Sequence, residues 1–116
     1  MNIIEKTDEE IRAIANPLWS DLVKSSNEGK YEEFVKHFSN SLAYALNEIE
    51  VGRQFTNSDL TKSLSEDVDC LGTIRRGEHV TVLYRQRSTK KDGEWLGRLV
   101  LGYEHGEVKI FGASIF

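Results

Sequence analysis

The chain has almost none of the residues that build disulfide-bonded or metal-bound scaffolds. Its 116 residues include one cysteine, Cys70, and three histidines that are not clustered. A single cysteine cannot form an internal disulfide, and these residues do not supply the ligands of a zinc site. We therefore expect no metal, no other cofactor and a reducing compartment, with Cys70 as a buried structural thiol.

The sequence also lacks an apolar run long enough to cross a membrane, and its first 16 residues carry four acids where a secretory signal needs an apolar stretch. With one proline, nine glycines and 39% hydrophobic residues, the composition excludes fibrous, low-complexity and disordered classes. We expect a soluble cytoplasmic protein with no membrane partner. A chain of this length can bury one core, so residues 1–116 are predicted to form a single domain.

The chain also has no excess of basic residues, since its net charge is −4. The charge is unevenly distributed: residues 1–69 hold 14 acidic and 7 basic side chains, whereas residues 70–116 hold 5 and 8. The two halves therefore carry −7 and +3. A negative total is unfavourable for binding the phosphate backbone, so we expect no nucleic-acid partner.

What the first half does have is helical periodicity. Apolar residues recur every three or four positions over residues 11–23, and Thr7 with Glu10 forms a capping box in front of them. Pro17 removes one backbone hydrogen bond inside this pattern. The pattern predicts a long first helix with a kink near Asn16.

Shorter apolar faces come after a stop at Gly29, a residue suited to the left-handed conformation that ends helices. They predict a second helix within residues 31–38, a third over 42–49 and a short fourth helix that begins at 56 or 58 and reaches 64. The first half is therefore expected to be helical.

The hydrophobic period changes to two after residue 68, and three turn signals occur at Arg76-Gly77, Lys90 to Gly93 and His105-Gly106. These signals delimit four strands at about 69–75, 79–88, 95–104 and 107–116. Because short hairpin turns make neighbouring strands antiparallel, the sequence predicts an α+β domain in which N-terminal helices pack on a four-stranded antiparallel sheet.

The two faces of this sheet are predicted to differ. One face has no charge and is expected to be the core surface; it carries Val80, Val82, Tyr84, Trp95, Leu99, Leu101, Tyr103, Val108, Ile110 and Phe116. The other face is mixed and carries Leu83, Arg85, Arg87, Leu96, Arg98, Val100, Phe111, Ala113 and Ile115. Its apolar members form a larger patch than a monomer usually exposes, so we expect a homodimer interface there, formed by the first seven of these residues, from Leu83 to Phe111.

Two arginines of the mixed face are expected to repel each other across neighbouring strands. Arg98 lies opposite Arg85 if the turn has four residues and opposite Arg87 if it has two. Carboxylates of a second subunit or an anionic ligand would neutralise these two positive charges.

The order of elements resembles the nuclear transport factor 2-like, or cystatin-like, superfamily. One segment, Asn27-Glu28-Gly29-Lys30-Tyr31-Glu32-Glu33-Phe34-Val35-Lys36-His37-Phe38, is similar to the glycine, polar residue and aromatic-rich short helix that connect the family's first two helices. Lys30 stands where aspartate or asparagine is common in that family. The resemblance implies a curved sheet around the first helix, a conical pocket between them and often a dimer through the outer sheet face.

Five ring-bearing residues are candidates for lining such a pocket, with core packing as the alternative: Trp19, His37, Tyr44, Tyr84 and Tyr103. The family's enzymes, such as ketosteroid isomerase and scytalone dehydratase, aim Tyr, Asp or His groups into the cone. The predicted inward strand face has neither Asp nor Glu, so no catalytic residue is predicted.

Three functions are compatible with these patterns. The first is a non-catalytic domain that dimerises and binds a small, largely apolar ligand in the cone. The second is a protein-interaction or immunity-type accessory protein whose pocket is filled by its own side chains and whose acidic helices engage a basic partner. The third is an enzyme of the isomerase or dehydratase kind.

Overall fold

Helices precede strands along the chain, as the sequence predicted. The computed structural model describes residues 3–45 and 60–116. A 3-10 turn at Ile3–Glu5 comes first, followed by helices α1 (Asp8–Glu28), α2 (Tyr31–Val35) and α3 (Asn40–Ala45), a 3-10 turn at Leu60–Lys62, and strands β1 (Asp69–Arg76), β2 (His79–Arg87), β3 (Glu94–Glu104) and β4 (Glu107–Ile115). The fold is α+β, with the N-terminal helices packed against the sheet.

The first helix has the ends that its sequence predicted. The hydroxyl of Thr7 accepts a hydrogen bond from the backbone N–H of Glu10 at 3.1 Å, and the Glu10 carboxylate accepts one from the backbone N–H of Thr7 at 2.9 Å. Gly29 ends the helix in the left-handed conformation at φ 67°. The capping box and the glycine stop are thus confirmed, and Pro17 lies inside a continuous helix. No helix among residues 3–45 and 60–116 is both long enough and apolar enough to cross a membrane.

The second helix is shorter than predicted. The second ends at Val35 because residues 37–39 pair with β4 instead: Ser39 donates its backbone N–H to the carbonyl of Ile110 at 2.8 Å, and Ile110 donates to the carbonyl of His37 at 2.7 Å. The continuation of the third helix to 49 and the start of a fourth at 56 or 58 lie outside the described residues. Residues 60–62 form a single 3-10 turn.

The four strands form one antiparallel sheet in the order β1-β2-β3-β4, and each predicted strand end lies within one residue of the observed one. The helices cover its inner face. The core between them consists of these buried side chains: Ile3, Ile11, Ala15, Trp19, Leu22, Val23, Phe38, Leu64, Val80, Val82, Tyr84, Leu99, Leu101 and Ile110.

The predicted register of β2 and β3 is wrong by an even number of residues. The connection spans residues 88–93, so that Arg98 lies opposite Leu83 and Arg87 lies opposite Glu94. The predicted direct opposition of two arginines does not occur. The connection is longer because Thr89 donates its backbone N–H to Ser63 at 2.7 Å instead of extending the pairing with β3. Since the error is an even step, the predicted faces of both strands are confirmed.

A β-bulge in β4 changes the predicted faces near the end of the chain. Leu101 pairs with Ile110 but Val100 pairs with Gly112, which leaves Phe111 as the extra residue. One extra residue reverses the alternation beyond it. The predicted faces of three residues are therefore wrong: Ala113 and Ile115 pack against the core, whereas Phe116 is exposed.

Candidate functional site

The middle of the inner face is filled by the indole of Trp19. This ring stacks on Tyr84 of β2 with a centroid distance of 5.0 Å and an interplanar angle of 14°. Gly97 of β3 lies opposite Tyr84, and a Cβ there would approach Cζ2 of Trp19 to 2.5 Å. The glycine thus lets the indole lie directly on the sheet.

A buried glutamine satisfies the polar end of this indole. The Nε1 of Trp19 donates a 2.9 Å hydrogen bond to the side-chain oxygen of Gln86, whose amide nitrogen donates to the carbonyls of Ser65 at 2.8 Å and Arg87 at 2.9 Å. Our sequence reasoning missed Gln86. Its signal was the alternation Val80, Val82, Tyr84, Gln86, in which a polar residue occupies the next inward position.

The phenol of Tyr84 is also satisfied within the chain. Its hydroxyl donates a 2.8 Å hydrogen bond to the side-chain oxygen of Asn16 on α1. Burial raises the pKa of Tyr84 above its usual value, because the phenolate would have to form away from water. The arrangement suits a neutral structural tyrosine.

A cavity of about 40 Å³ remains beside these rings. It is lined by Asn16, Trp19, Ser20, Val23, Glu66, Val68 and Tyr84. Pockets that bind small organic ligands measure roughly 300–1,000 Å³, and a water molecule needs about 10–15 Å³ of cavity volume. The described residues around Trp19 therefore leave room for only a few water molecules.

The five predicted pocket residues are only partly brought together. Trp19 and Tyr84 line the cavity, whereas His37 and Tyr103 are half-buried and do not. The side chain of Tyr44 lies outside the described residues. Cys70, which we expected to be buried, is half-buried against the core.

The outer face of the sheet carries exposed apolar side chains. Every residue predicted for the interface is at least partly accessible: Leu83, Arg85, Arg87, Leu96, Arg98, Val100 and Phe111. Four large apolar side chains of the sheet region, Leu71, Ile74, Leu96 and Phe116, are between 40% and 68% exposed. At the far end of this face, Phe111 packs edge-on against His79, with their ring centroids 4.6 Å apart.

Two of the arginines on this face find carboxylates within the chain. Nη2 of Arg87 lies 2.8 Å from Asp69, and Nη1 of Arg85 lies 3.4 Å from the same carboxylate oxygen. Glu94 lies farther away, 3.5 Å from Arg85 and 3.8 Å from Arg87. The hydrogen bond from Arg87 holds the pKa of Asp69 below its usual value. These two arginines therefore require no carboxylate from a second subunit.

Arg98 differs from its neighbours. Its guanidinium carbon lies 5.9 Å from the centre of the Phe116 ring, and the residues opposite it on β2 and β4 are Leu83 and Ser114. No acidic side chain in the described part of the chain forms an ion pair with it. Arg98 is thus a cation of the outer face that has no anionic partner among the described residues.

Within the described ranges, no group of three or more His, Cys, Asp or Glu side chains has a geometry that could hold a metal ion. Comparison of the chain with protein-family models, with curated proteins and with solved structures found no match. The function of the chain is therefore inferred from the two faces of its sheet.

Proposed function

We propose that this chain is a non-catalytic protein-interaction domain that forms a homodimer through the outer face of its sheet. The exposure of Leu96 and Phe116 on that face supports the proposal most directly. Contiguous apolar surface of this kind on a small domain is typical of a protein–protein interface, because its exposure to water is unfavourable in the monomer.

The size of the face fits a dimer. Four strands spaced by about 4.8 Å, each of about nine residues at roughly 3.4 Å per residue, give a face of roughly 20 by 30 Å. Interfaces of standard size bury about 800 Å² on each partner. A rugged face of these dimensions reaches that range, since its accessible area exceeds its projected area.

The charge of the face also favours a second copy as the partner. The face carries both signs of charge, with Asp69 and Glu94 beside three arginines, so two identical faces can be oriented with opposite charges facing each other. A twofold dimer requires such a self-complementary surface.

The filled interior supports a non-catalytic role. The polar tips of Trp19 and Tyr84 are bonded within the chain, and the one ionisable carboxyl that lines the cavity, Glu66, is exposed. Binding of a small apolar ligand stays a prediction, as do the resemblance to nuclear transport factor 2-like proteins, binding of a basic partner by the acidic helices, and a cytoplasmic location. A cavity of about 40 Å³ favours the interaction domain over the ligand-binding one.

The test is the mass in solution of three proteins: the natural chain, Leu96→Glu and Ala13→Glu. Ala13 is exposed on α1, so its variant introduces the same charge away from the outer face. At about 100 μM, above the micromolar Kd of weak interfaces, we expect dimers for the natural chain and Ala13→Glu and a folded monomer for Leu96→Glu. A Leu96→Glu variant that stays dimeric would exclude the outer face.

A further inference from the structure

We propose that two reciprocal ion pairs fix the register of this dimer, each between Glu94 of one copy and Arg98 of the other, with Leu96 at the twofold axis. This inference rests on the proposed function, because it specifies the geometry of the same interface. It commits the outer face to a second copy of this chain.

The three residues are alternate positions of a single strand. Glu94, Leu96 and Arg98 lie opposite Arg87, Arg85 and Leu83 of β2, and all project from the outer face. At about 3.4 Å per residue, the Cα atoms of residues 94 and 98 are roughly 14 Å apart, with Leu96 midway between them. The strand thus presents an anion, an apolar side chain and a cation in a symmetric series.

A twofold axis that lies between the sheets and crosses the strands at Leu96 makes the two β3 strands antiparallel. Leu96 then meets Leu96 of the second copy, and each Glu94 meets an Arg98. Facing sheets are about 10 Å apart, a gap that an arginine and a glutamate side chain span together. An axis along the strands would instead place Arg98 against Arg98, which is electrostatically unfavourable.

Arg98 requires an anion when the face is covered. In the monomer its charge is solvated and its only described partner is the ring of Phe116. Burial of an unpaired guanidinium among apolar side chains is strongly unfavourable, whereas a carboxylate from the opposite surface offsets much of that cost. Phe116 flanks the proposed axis, since it exchanges backbone hydrogen bonds with Leu96 at 3.1 and 2.9 Å.

Glu94 is the carboxylate that can meet this requirement. Its side chain is 58% exposed, and its distances of 3.5 and 3.8 Å to Arg85 and Arg87 are longer than the 2.8 Å between Asp69 and Arg87. Asp69 therefore continues to neutralise Arg87 when Glu94 turns toward the second copy. After the exchange, Arg85 and Arg87 share the Asp69 carboxylate at 3.4 and 2.8 Å, and Glu94 contacts Arg98 of the second copy.

The experiment is a charge reversal followed by sedimentation velocity over a concentration series. We expect Arg98→Glu and Glu94→Arg each to raise the dimer Kd by about tenfold or more, and the double variant to recover most of the affinity. Arg12→Glu, on the exposed side of α1, changes the net charge by the same amount as Arg98→Glu and is expected to leave the Kd unchanged.

Failure of this register is distinguishable from failure of the dimer. The Glu94–Arg98 pairing would be overturned by single reversals that leave the Kd unchanged, or by a double variant whose dimer is as weak as those of the single variants. In either case a monomeric Leu96→Glu variant would still show that the dimer forms through the outer face. If Arg98→Glu weakens the dimer and the double variant does not restore its affinity, the anion that pairs with Arg98 belongs to a different carboxylate or to a different protein. A monomeric natural chain would overturn both proposals.

Discussion

The indole nitrogen of Trp19 on α1 donates a 2.9 Å hydrogen bond to the side-chain oxygen of Gln86 on β2, and both side chains are buried. This bond joins the helical layer to the sheet at the centre of the core. Both amide hydrogens of Gln86 are used within the chain, because its nitrogen donates to two backbone carbonyls. The pair is therefore a structural link between the layers.

Replacement of Gln86 by methionine keeps the volume and removes all three hydrogen bonds. We expect Gln86→Met to lower the free energy of unfolding by about 2–4 kcal/mol, since the buried indole N–H and the carbonyl of Ser65 lose their partner, whereas the Arg87 carbonyl keeps the backbone N–H of Ser65. Urea unfolding measures the change. Lys91→Met, at an exposed position, is the control and is expected to change stability by less than about 0.5 kcal/mol. A Gln86→Met variant as stable as the control would contradict the assignment.

Gly97 is predicted to tolerate no side chain. Its added Cβ would lie 2.5 Å from Cζ2 of Trp19, so Gly97→Ala is expected to cost about 1–3 kcal/mol by overpacking. In Gly112→Ala, the matched control, the added Cβ meets a valine methyl at 3.3 Å. Because the benzene ring of phenylalanine reaches less far than the indole, Gly97→Ala should cost less in a Trp19→Phe background. Equal costs in both backgrounds would show that Trp19 is not the obstacle.

Because Tyr84 is buried, we expect the folded chain to lose stability at alkaline pH. Burial raises its pKa in the folded chain, so as the pH rises through about 10 the phenol ionises in the unfolded chain but not in the folded one. The stability from Tyr84 is present below that pH and decreases above it. Because it removes the hydrogen bond to Asn16, Tyr84→Phe should lower the free energy of unfolding by about 1 kcal/mol at neutral pH. The same variant should lose less stability than the natural chain as the pH rises above about 10. Tyr103→Phe is the control, and a decrease equally steep in both variants would argue against this role.

The capping box makes a separate prediction at the start of α1. Thr7→Ala removes one half of the box and should cost about 1 kcal/mol, whereas Lys24→Ala, at an exposed position of the same helix, should be nearly neutral. The backbone hydrogen bond from Thr7 lowers the pKa of Glu10, so the stability it gives is present above the usual glutamate pKa and is lost as the pH falls. Thermal unfolding at pH 7 and pH 3 tests both statements. Indistinguishable melting curves for the two variants at pH 7 would contradict the capping role of Thr7, and a stability that does not decrease from pH 7 to pH 3 would contradict the role of Glu10.

Local signals made much of the fold predictable. The change of hydrophobic period after residue 68 predicted the strands to within one residue, and Thr7 and Gly29 predicted both ends of α1. Each of these features depends on residues that are neighbours in the sequence. The assignment of Leu96 and Arg98 to the outer face was equally local, because it required only the alternation of β3.

Features that depend on distant contacts could not be read from the sequence. The length of the 88–93 connection depends on the bond between Thr89 and Ser63, 26 residues earlier. The bulge at Phe111 adds one residue to a strand whose alternation continues on both sides of it, so no local pattern reveals it. The partners of Arg85 and Arg87, the carboxylates of Asp69 and Glu94, could be identified only when the strand register was known.

The central claim is that the outer sheet face binds a second copy of the chain. Sedimentation equilibrium of the natural chain at about 100 μM, above the micromolar Kd of weak interfaces, tests this claim most directly. The dimer predicts twice the chain mass of 13.2 kDa, with a decrease toward the single mass on dilution. A mass of 13.2 kDa at the highest concentration would contradict it.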